Sequence, residues 1–319
     1  MRSGSLLLLW CALCIVISVP AFATSLSGTS YLELDYTPLA LPANASIVYD
    51  VVVNSSAGVF LVLSGGLESG LYRLTPDHAE ILEYYPIDVA GFTIYSQLAA
   101  TDNYVFLAST TRLYRFNISD LHDVKVSPNL NLTEFFNFDI DTLRKLAFAV
   151  SIFNSSCVIV DLVTMLPIGS FNYSQGGPFA WFDSQTPGGW AIAVDSSRST
   201  LFIGGSFSFP TPTIVWQYSI SNLAQIILMN WVVRAGEGQL VGGFVEAADG
   251  KPWFTEELSG WTGAFSATDL NWGKNWTVPT VGSVAQWEYD PETHTGFFFD
   301  NSFRGPGPNQ EVCIRIQRG

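Results

Sequence analysis

Six carboxylates, Asp139, Asp141, Asp195, Glu246, Glu288 and Asp290, are the side chains of this sequence whose types and spacing could do chemistry. Asp139 and Asp141 lie two residues apart, the spacing that puts both on one side of a strand. Such a group could hold Ca²⁺ through oxygen ligands, or supply the acid and base of a glycosidase. The competing reading is local. Asp and Asn cap tight hairpin turns, and turn chemistry alone accounts for Asp102, Asp195 and Asp249. The sequence favours the local reading. Its histidines, His78, His122 and His294, stand far from one another and from any cysteine, so no zinc site is expected. The sequence has no G-x-S-x-G elbow, no glycine-rich phosphate loop and no H-E-x-x-H. No catalytic residue, metal or cofactor is therefore assigned.

The elements that must position these groups are short strands. The stretch NYVFLASTTRLYRFNIS (103–119) reads as two strands joined by a polar turn, each rich in aromatic and β-branched residues. Its Phe106 has counterparts in Phe60, Phe148, Phe202, Phe254 and Phe298, at spacings of 46, 42, 54, 52 and 44 residues. A period of about 40–50 residues with strand-only patterning marks the four-stranded blades of a β-propeller. A first strand precedes each anchor: IVYDVVV, FTIYSQLAA, FNFDI, WAIAV, LVGGFVEA and VAQWEY. A third follows: GLYRL, RLYRF, CVIVDL, TIVWQYS, TGAFSA and VCIRI. Fourth strands are looser: ILEYYPI, VKVSP (124–128), MLPIGSF, AQIILMN (224–230) and NWTVP (275–279). The sixth unit lacks one, and SYLELDY (30–36) could complete it. The expected fold is an all-β, six-bladed β-propeller closed by this N-terminal strand. A seven-bladed ring or a two-domain sandwich is the alternative, with SQGGPFAWFDSQTPGG (174–189) read as an insertion loop.

Arg73, Arg115 and Arg315 hold one place in the third strands, with Asp161 and Gln217 as polar substitutes. Third strands lie away from the central channel. These side chains are accordingly expected to hydrogen-bond between neighbouring blades, not to line a ligand site. Cys157 and Cys313 fall in opposite blades, which separates them by roughly 30 Å on the spacing of strands. A disulfide needs Cα atoms within about 7 Å, so both are expected to be free.

Composition sets the class and compartment. The chain of 319 residues is 48% hydrophobic and only 13% charged, with a net charge of −14. No basic stripe exists to neutralise phosphates, which excludes a nucleic-acid binder and electrostatic adhesion to anionic lipid. Arg2, the apolar run from Leu6 to Val19, and Ala21-Phe22-Ala23 form a signal peptide over residues 1–23, leaving one domain over 24–319. No later run is long enough to span a bilayer; the longest, Ile226 to Val233, is interrupted by Asn230. Seven N-x-S/T sequons, at Asn44, Asn54, Asn117, Asn131, Asn154, Asn172 and Asn275, agree with a secreted glycoprotein.

Single blades resemble known propellers. DGKPWFTEELSG (249–260) is similar to a blade of the NHL and virginiamycin-B-lyase-like propellers. LFIGGSFSFPTPTIVWQYSISN (201–222) is similar to a Kelch blade, with a double glycine before an aromatic strand. The resemblance implies a secreted propeller. The lyases use a histidine-centred metal site that nothing in this sequence matches, so no catalytic residue carries over.

All nine tryptophans of the mature chain follow residue 180. Trp216, Trp253 and Trp287 fall on strands and belong to the core. Trp181, Phe207, Phe209, Trp261 and Phe303 fall in loops, in an arc that carries one sequon, Asn275. Exposed aromatics cluster at protein and sugar recognition sites. This arc of blades four to six is the expected ligand-binding surface, for an extracellular protein or glycan. A hydrolase using channel carboxylates and a structural wall or matrix glycoprotein are the other two readings.

Overall fold

The computed structural model describes residues 30–37, 47–54, 58–64, 70–75, 80–87, 98–109, 111–132, 136–151, 155–173, 188–206, 213–234, 240–245, 250, 252–256, 261–265, 270, 272–277, 284–290, 295–300 and 311–318. Strand β1 (Ser30–Thr37) stands apart from its neighbours in sequence. The first sheet follows as β2 (Ile47–Asn54), β3 (Gly58–Ser64), β4 (Gly70–Leu74) and β5 (Ile81–Pro86). The second is β6 (Leu98–Ala100), β7 (Tyr104–Ser109), β8 (Arg112–Asn117) and β9 (Asp120–Val126). The third is β10 (Phe136–Asp141), β11 (Leu146–Ser151), β12 (Ser156–Asp161) and β13 (Leu166–Asn172). The fourth is β14 (Gly188–Asp195), β15 (Thr200–Ser206), β16 (Thr213–Ser219) and β17 (Ile227–Arg234). The fifth is β18 (Leu240–Val245), β19 (Pro252–Glu256), β20 (Trp261–Phe265) and β21 (Trp272–Thr277). The last is β22 (Val284–Asp290), β23 (Thr295–Asp300) and β24 (Glu311–Arg318), with β1 as its fourth strand.

Among the described residues these are six antiparallel sheets of four strands each. The expected first, second and third strands appear within a few residues of their sequence positions, except that of FTIYSQLAA only Leu98–Ala100 falls among the described residues. SYLELDY pairs with the final strand: Ser30 lies opposite Arg318, and Thr37 opposite Glu311. First strands pack side by side, β2 against β6, β10 against β14, β14 against β18, β18 against β22, and β22 against β2.

Packing follows from strands that are apolar on both faces, each face meeting a different sheet. In β7, Val105 and Leu107 point into the core shared with the first sheet. Phe106 and Ala108, one residue out of phase, enter the core shared with the third. Likewise Leu146, Phe148 and Val150 of β11 face the fourth sheet, while Ala147 and Ala149 face the second. Small residues on one face and large ones on the other let adjacent sheets interlock. The recurrent anchors Phe106, Phe148, Phe202 and Phe254 are all buried to within 1% of full enclosure, which stabilises by about 1.5–3 kcal/mol apiece. One close approach requires glycine. A Cβ on Gly70 would lie 2.2 Å from the carbonyl oxygen of Tyr85, where β4 runs against β5.

Three outer strands depart from expectation. β9 begins at Asp120, four residues before the expected VKVSP, because Asn117 and Ser119 close a tight turn: the Asn117 Oδ1 accepts from the Ser119 N–H at 3.0 Å. β17 begins at Ile227 and runs to Arg234, because Asn222 holds Ser221 to Ile226 in a turn of its own. β21 begins three residues early, at Trp272. No helix among the described residues is long and apolar enough to cross a membrane.

Candidate functional surface

The acids on the first strands of the third and fourth sheets divide into two kinds, while Glu246 lies outside the described residues. Asp141 and Asp195 end β10 and β14 and cap the hairpins that follow. Each Oδ1 accepts the backbone N–H three residues on, from Arg144 and Arg198 respectively, both at 3.0 Å. Each Oδ2 is paired with that arginine's guanidinium, at 2.6 and 2.9 Å. The fifth residue of each turn, Lys145 or Ser199, takes the left-handed conformation (φ 57 and 51) that returns the chain to its partner strand. Burial works against ionisation of Asp195. Hydrogen bonds from Ser197 and Arg198 outweigh it and hold the carboxyl below its usual range. The turn reading of these acids is the one the geometry bears out.

Asp139 is different. Its Oδ1 accepts from the Ile140 N–H at 2.7 Å, and its Oδ2 accepts from the Val194 N–H on β14 at 2.6 Å. A side chain of the third sheet therefore stitches a backbone donor of the fourth. The residue is half-buried, but its carboxyl is enclosed, and that burial pushes it up to about 7 against the pull of its two backbone donors. The nearby Asp141 charge adds to the rise.

Third-strand arginines form a second set of stitches. The Arg73 guanidinium donates to the carbonyl of Ile118, in the β8–β9 turn, at 2.9 Å. Its partner Glu83, 3.8 Å away, accepts from the Leu121 N–H at 2.8 Å, so one ion pair grips both sides of that turn. Arg115 repeats the move one sheet on. It donates to Leu162 and Val163 carbonyls at 2.9 and 3.1 Å while lying over the Tyr104 ring. Arg144 reaches the Ile220 carbonyl of the fourth sheet. The expected bonding between neighbouring units is thus present at Arg73 and Arg115. Asp161, grouped with them by sequence, instead caps its own turn by accepting from Val163 and Thr164, and the Thr164 backbone bond lowers its carboxyl.

Cys157 is a free, fully buried thiol in the core between the third and fourth sheets, and burial pushes its thiol up. His122 lies on β9 against the Tyr85 ring, with centroids 5.6 Å apart. No group of three His, Cys, Asp or Glu side chains able to hold a metal gathers among the described residues.

Of the aromatics expected to bind ligand, Trp181, Phe207, Phe209 and Phe303 lie outside the described residues. Trp261, expected in a loop, is instead the first residue of β20 and stands opposite Thr277 of β21. Trp216 is fully buried, as expected for a core ring. Sequons sit at strand ends: Asn54 closes β2, Asn117 closes β8 and Asn172 closes β13, while Asn275 lies within β21. Asn131 is exposed with φ 54, and Asn44 and Asn154 lie outside the described residues. The Asn117 amide is engaged, donating to Asp123 at 3.2 Å.

One surface escaped the sequence reading. Along β17, Ile227 (52% exposed), Met229 (57%), Trp231 (40%) and Val233 (40%) are exposed, Ile227 on one face of the sheet and Trp231 and Val233 on the other, with a register shift at Met229 between them. Between them Leu228 packs into the core with the third sheet, and Val232 into the core with the fifth. The signal was the run Ile226 to Val233, of which only 226–230 entered an expected strand.

No family model matches the chain, and no curated protein does either. Solved structures do. Over 89% of its length the chain superposes on Raptor of Chaetomium thermophilum, with a TM-score of 0.61 and 5% identity, spanning 29% of that protein. It matches a luciferin-regenerating enzyme over 91% of this chain and 97% of that one, with a TM-score of 0.60 and 8% identity. It matches the β-propeller domain of Myceliophteria thermophila Cps50 (Swd1) over 89% and 100%, with a TM-score of 0.55 and 9% identity. At these identities the likeness is one of fold: an all-β protein of the β-propeller kind.

Proposed function

We propose that the chain is an exported β-propeller of six blades, the last completed by β1, which acts as an extracellular protein-recognition scaffold. The observation that carries this reading is the use made of its polar groups. Asp141, Asp161 and Asp195 cap turns, and Asp139, Arg73 and Arg115 hold neighbouring sheets together. What this leaves for other molecules is surface, and part of that surface is apolar. Six blades are supported by the six four-stranded sheets and by the β1–β24 ladder. Export is supported by the N-terminal pattern over residues 1–23 and by the sequons. Kinship with NHL and Kelch propellers rests on the blade sequences quoted above.

Within this reading Trp181, Phe207, Phe209, Trp261 and Phe303 form the principal recognition arc. The chain, made with its own leader in a eukaryotic secretory host, should reach the medium beginning at Thr24. It should drop in mass on enzymatic removal of N-glycans. Protein and glycan arrays probed with that material should then return a protein ligand. Combined Trp181→Ala, Phe207→Ala and Trp261→Ala should abolish its binding and leave the circular dichroism unchanged. Retention inside the cell, or full affinity in the triple variant, would refute the respective halves of the reading.

The hydrolase alternative asks for two enclosed carboxyls with raised pKa, about 5–9 Å apart. Asp139 is one enclosed carboxyl, and both of its oxygens are held by backbone donors.

A further inference from the structure

We propose that the outer edge of β17 takes up an extended segment of a different, basic protein as a fifth strand of the fourth sheet. The inference rests on the protein-recognition reading and names a second surface for it, apart from the loop aromatics. Among the described residues β17 ends its sheet and pairs only with β16, so one row of its backbone donors and acceptors faces away from its sheet.

Outermost strands are ordinarily protected against such pairing by proline or charge. Here the other five follow that rule. β1 contains Glu33 and Asp35, β5 Glu83 and Pro86, β9 Asp120, Asp123 and Lys125, β13 Pro167, and β21 Lys274. β17, ILMNWVVR, has neither before its last residue, Arg234, and the one edge protection that it carries is the bulge at Met229. It is eight residues long, as is β1, while β5, β9, β13 and β21 have six or seven. A register shift beside Met229 re-aims the strand, so that Trp231 stands opposite Trp216 and Leu228 opposite Tyr218. The result is an edge uncharged up to Arg234, with Ile227 exposed on one face of the sheet, Trp231 and Val233 on the other, and Met229 at the shift between them. Strand-addition sites are built this way: main-chain bonds supply affinity, and alternate side chains supply selectivity.

Charge selects the occupant. A second copy of this chain would bring another −14 to the contact and be repelled. A segment flanked by lysine or arginine is drawn toward an acidic body, and an apolar-alternating strand between those flanks meets the β17 side chains without burying a charge. The structure thus fits an extended basic-flanked segment.

The test uses a fluorescein-labelled peptide of alternating valine and threonine between paired lysines, titrated against the mature chain by anisotropy. Saturable binding is expected. It should weaken at least tenfold when alternate peptide nitrogens are methylated, when glutamates replace the lysines, and in a Met229→Lys, Trp231→Lys variant. Both substitutions fall on exposed positions, and an unchanged melting profile verifies the fold. Absence of binding, indifference to methylation, or full binding by the variant overturns the proposal. Concentration-dependent dimers that the double variant abolishes would assign the edge to a second copy and equally overturn it. An array partner lost with the Trp181, Phe207 and Trp261 variant, together with no binding of the peptide, would leave the recognition reading standing and sink this one.

Discussion

The Asp139 carboxylate on β10 accepts the backbone N–H of Val194 on β14 at 2.6 Å, joining the first strands of two successive sheets. Burial raises this carboxyl from 3.8 to about 7. The folded state therefore holds a proton that the unfolded chain gives up near pH 4. Stability from this group is fully present below about pH 4 and is lost as pH rises through about 7. Asparagine keeps an acceptor for Val194, loses the one that Ile140 uses, and cannot ionise. The effect of Asp139→Asn on stability should therefore be more favourable at pH 8 than at pH 4.5, by on the order of 2 kcal/mol. Denaturant melts of both proteins at the two pH values check this; an equal effect at both would refute it.

Phe148 is fully enclosed between the third and fourth sheets, and Leu143 in the adjoining turn is 71% exposed. Truncating the first leaves a cavity that neighbouring sheets cannot refill. Phe148→Ala should cost about 3–5 kcal/mol of unfolding free energy, against less than about 0.5 kcal/mol for Leu143→Ala. Equilibrium urea unfolding distinguishes them.

Arg115 reaches two carbonyls of the β12–β13 turn with one nitrogen and stacks its guanidinium on Tyr104. Arg115→Met should cost about 1–3 kcal/mol by leaving the Leu162 carbonyl short of a donor, while the Val163 carbonyl keeps Lys125 at 3.0 Å. Arg115→Lys should restore less than half of it, since an ammonium lacks the planar group that lies on the ring. Complete rescue by lysine would show that charge alone matters there.

Cys157 is enclosed and its thiolate strongly disfavoured. In the native protein it should resist a thiol reagent at pH 8 and react only with the rate of unfolding. Peptide mapping without reduction should show no Cys157–Cys313 bridge. Finding that bridge would contradict the placement of Cys157 on β12 of the third sheet and Cys313 on β24 of the last.

The hairpin periodicity was readable because both faces of each inner strand are buried, which keeps apolar and β-branched residues at fixed positions around Phe106, Phe148 and Phe202. Turn acids were readable for a similar reason: the roles of Asp141 and Asp195 are completed within three residues. Asp139 was harder. Its decisive partner, Val194, lies 55 residues away, and nothing local separates it from Asp141. Outer strands were placed less well, since their one-sided burial relaxes the pattern. β17 was shifted by the Asn222 turn, and its exposed Trp231 lies one residue past the expected strand AQIILMN (224–230).

The pairing of β1 with β24 decides how the molecule responds to being pulled. Ser30 lies opposite Arg318, so tension applied through the two chain ends enters that ladder at a single extremity. Its bonds then part in succession, like the teeth of a zipper, and are never loaded together in shear. The last sheet should therefore be the mechanical fuse, opening at low force in an optical trap. The sheets between β2 and β21 should follow as later, separate events.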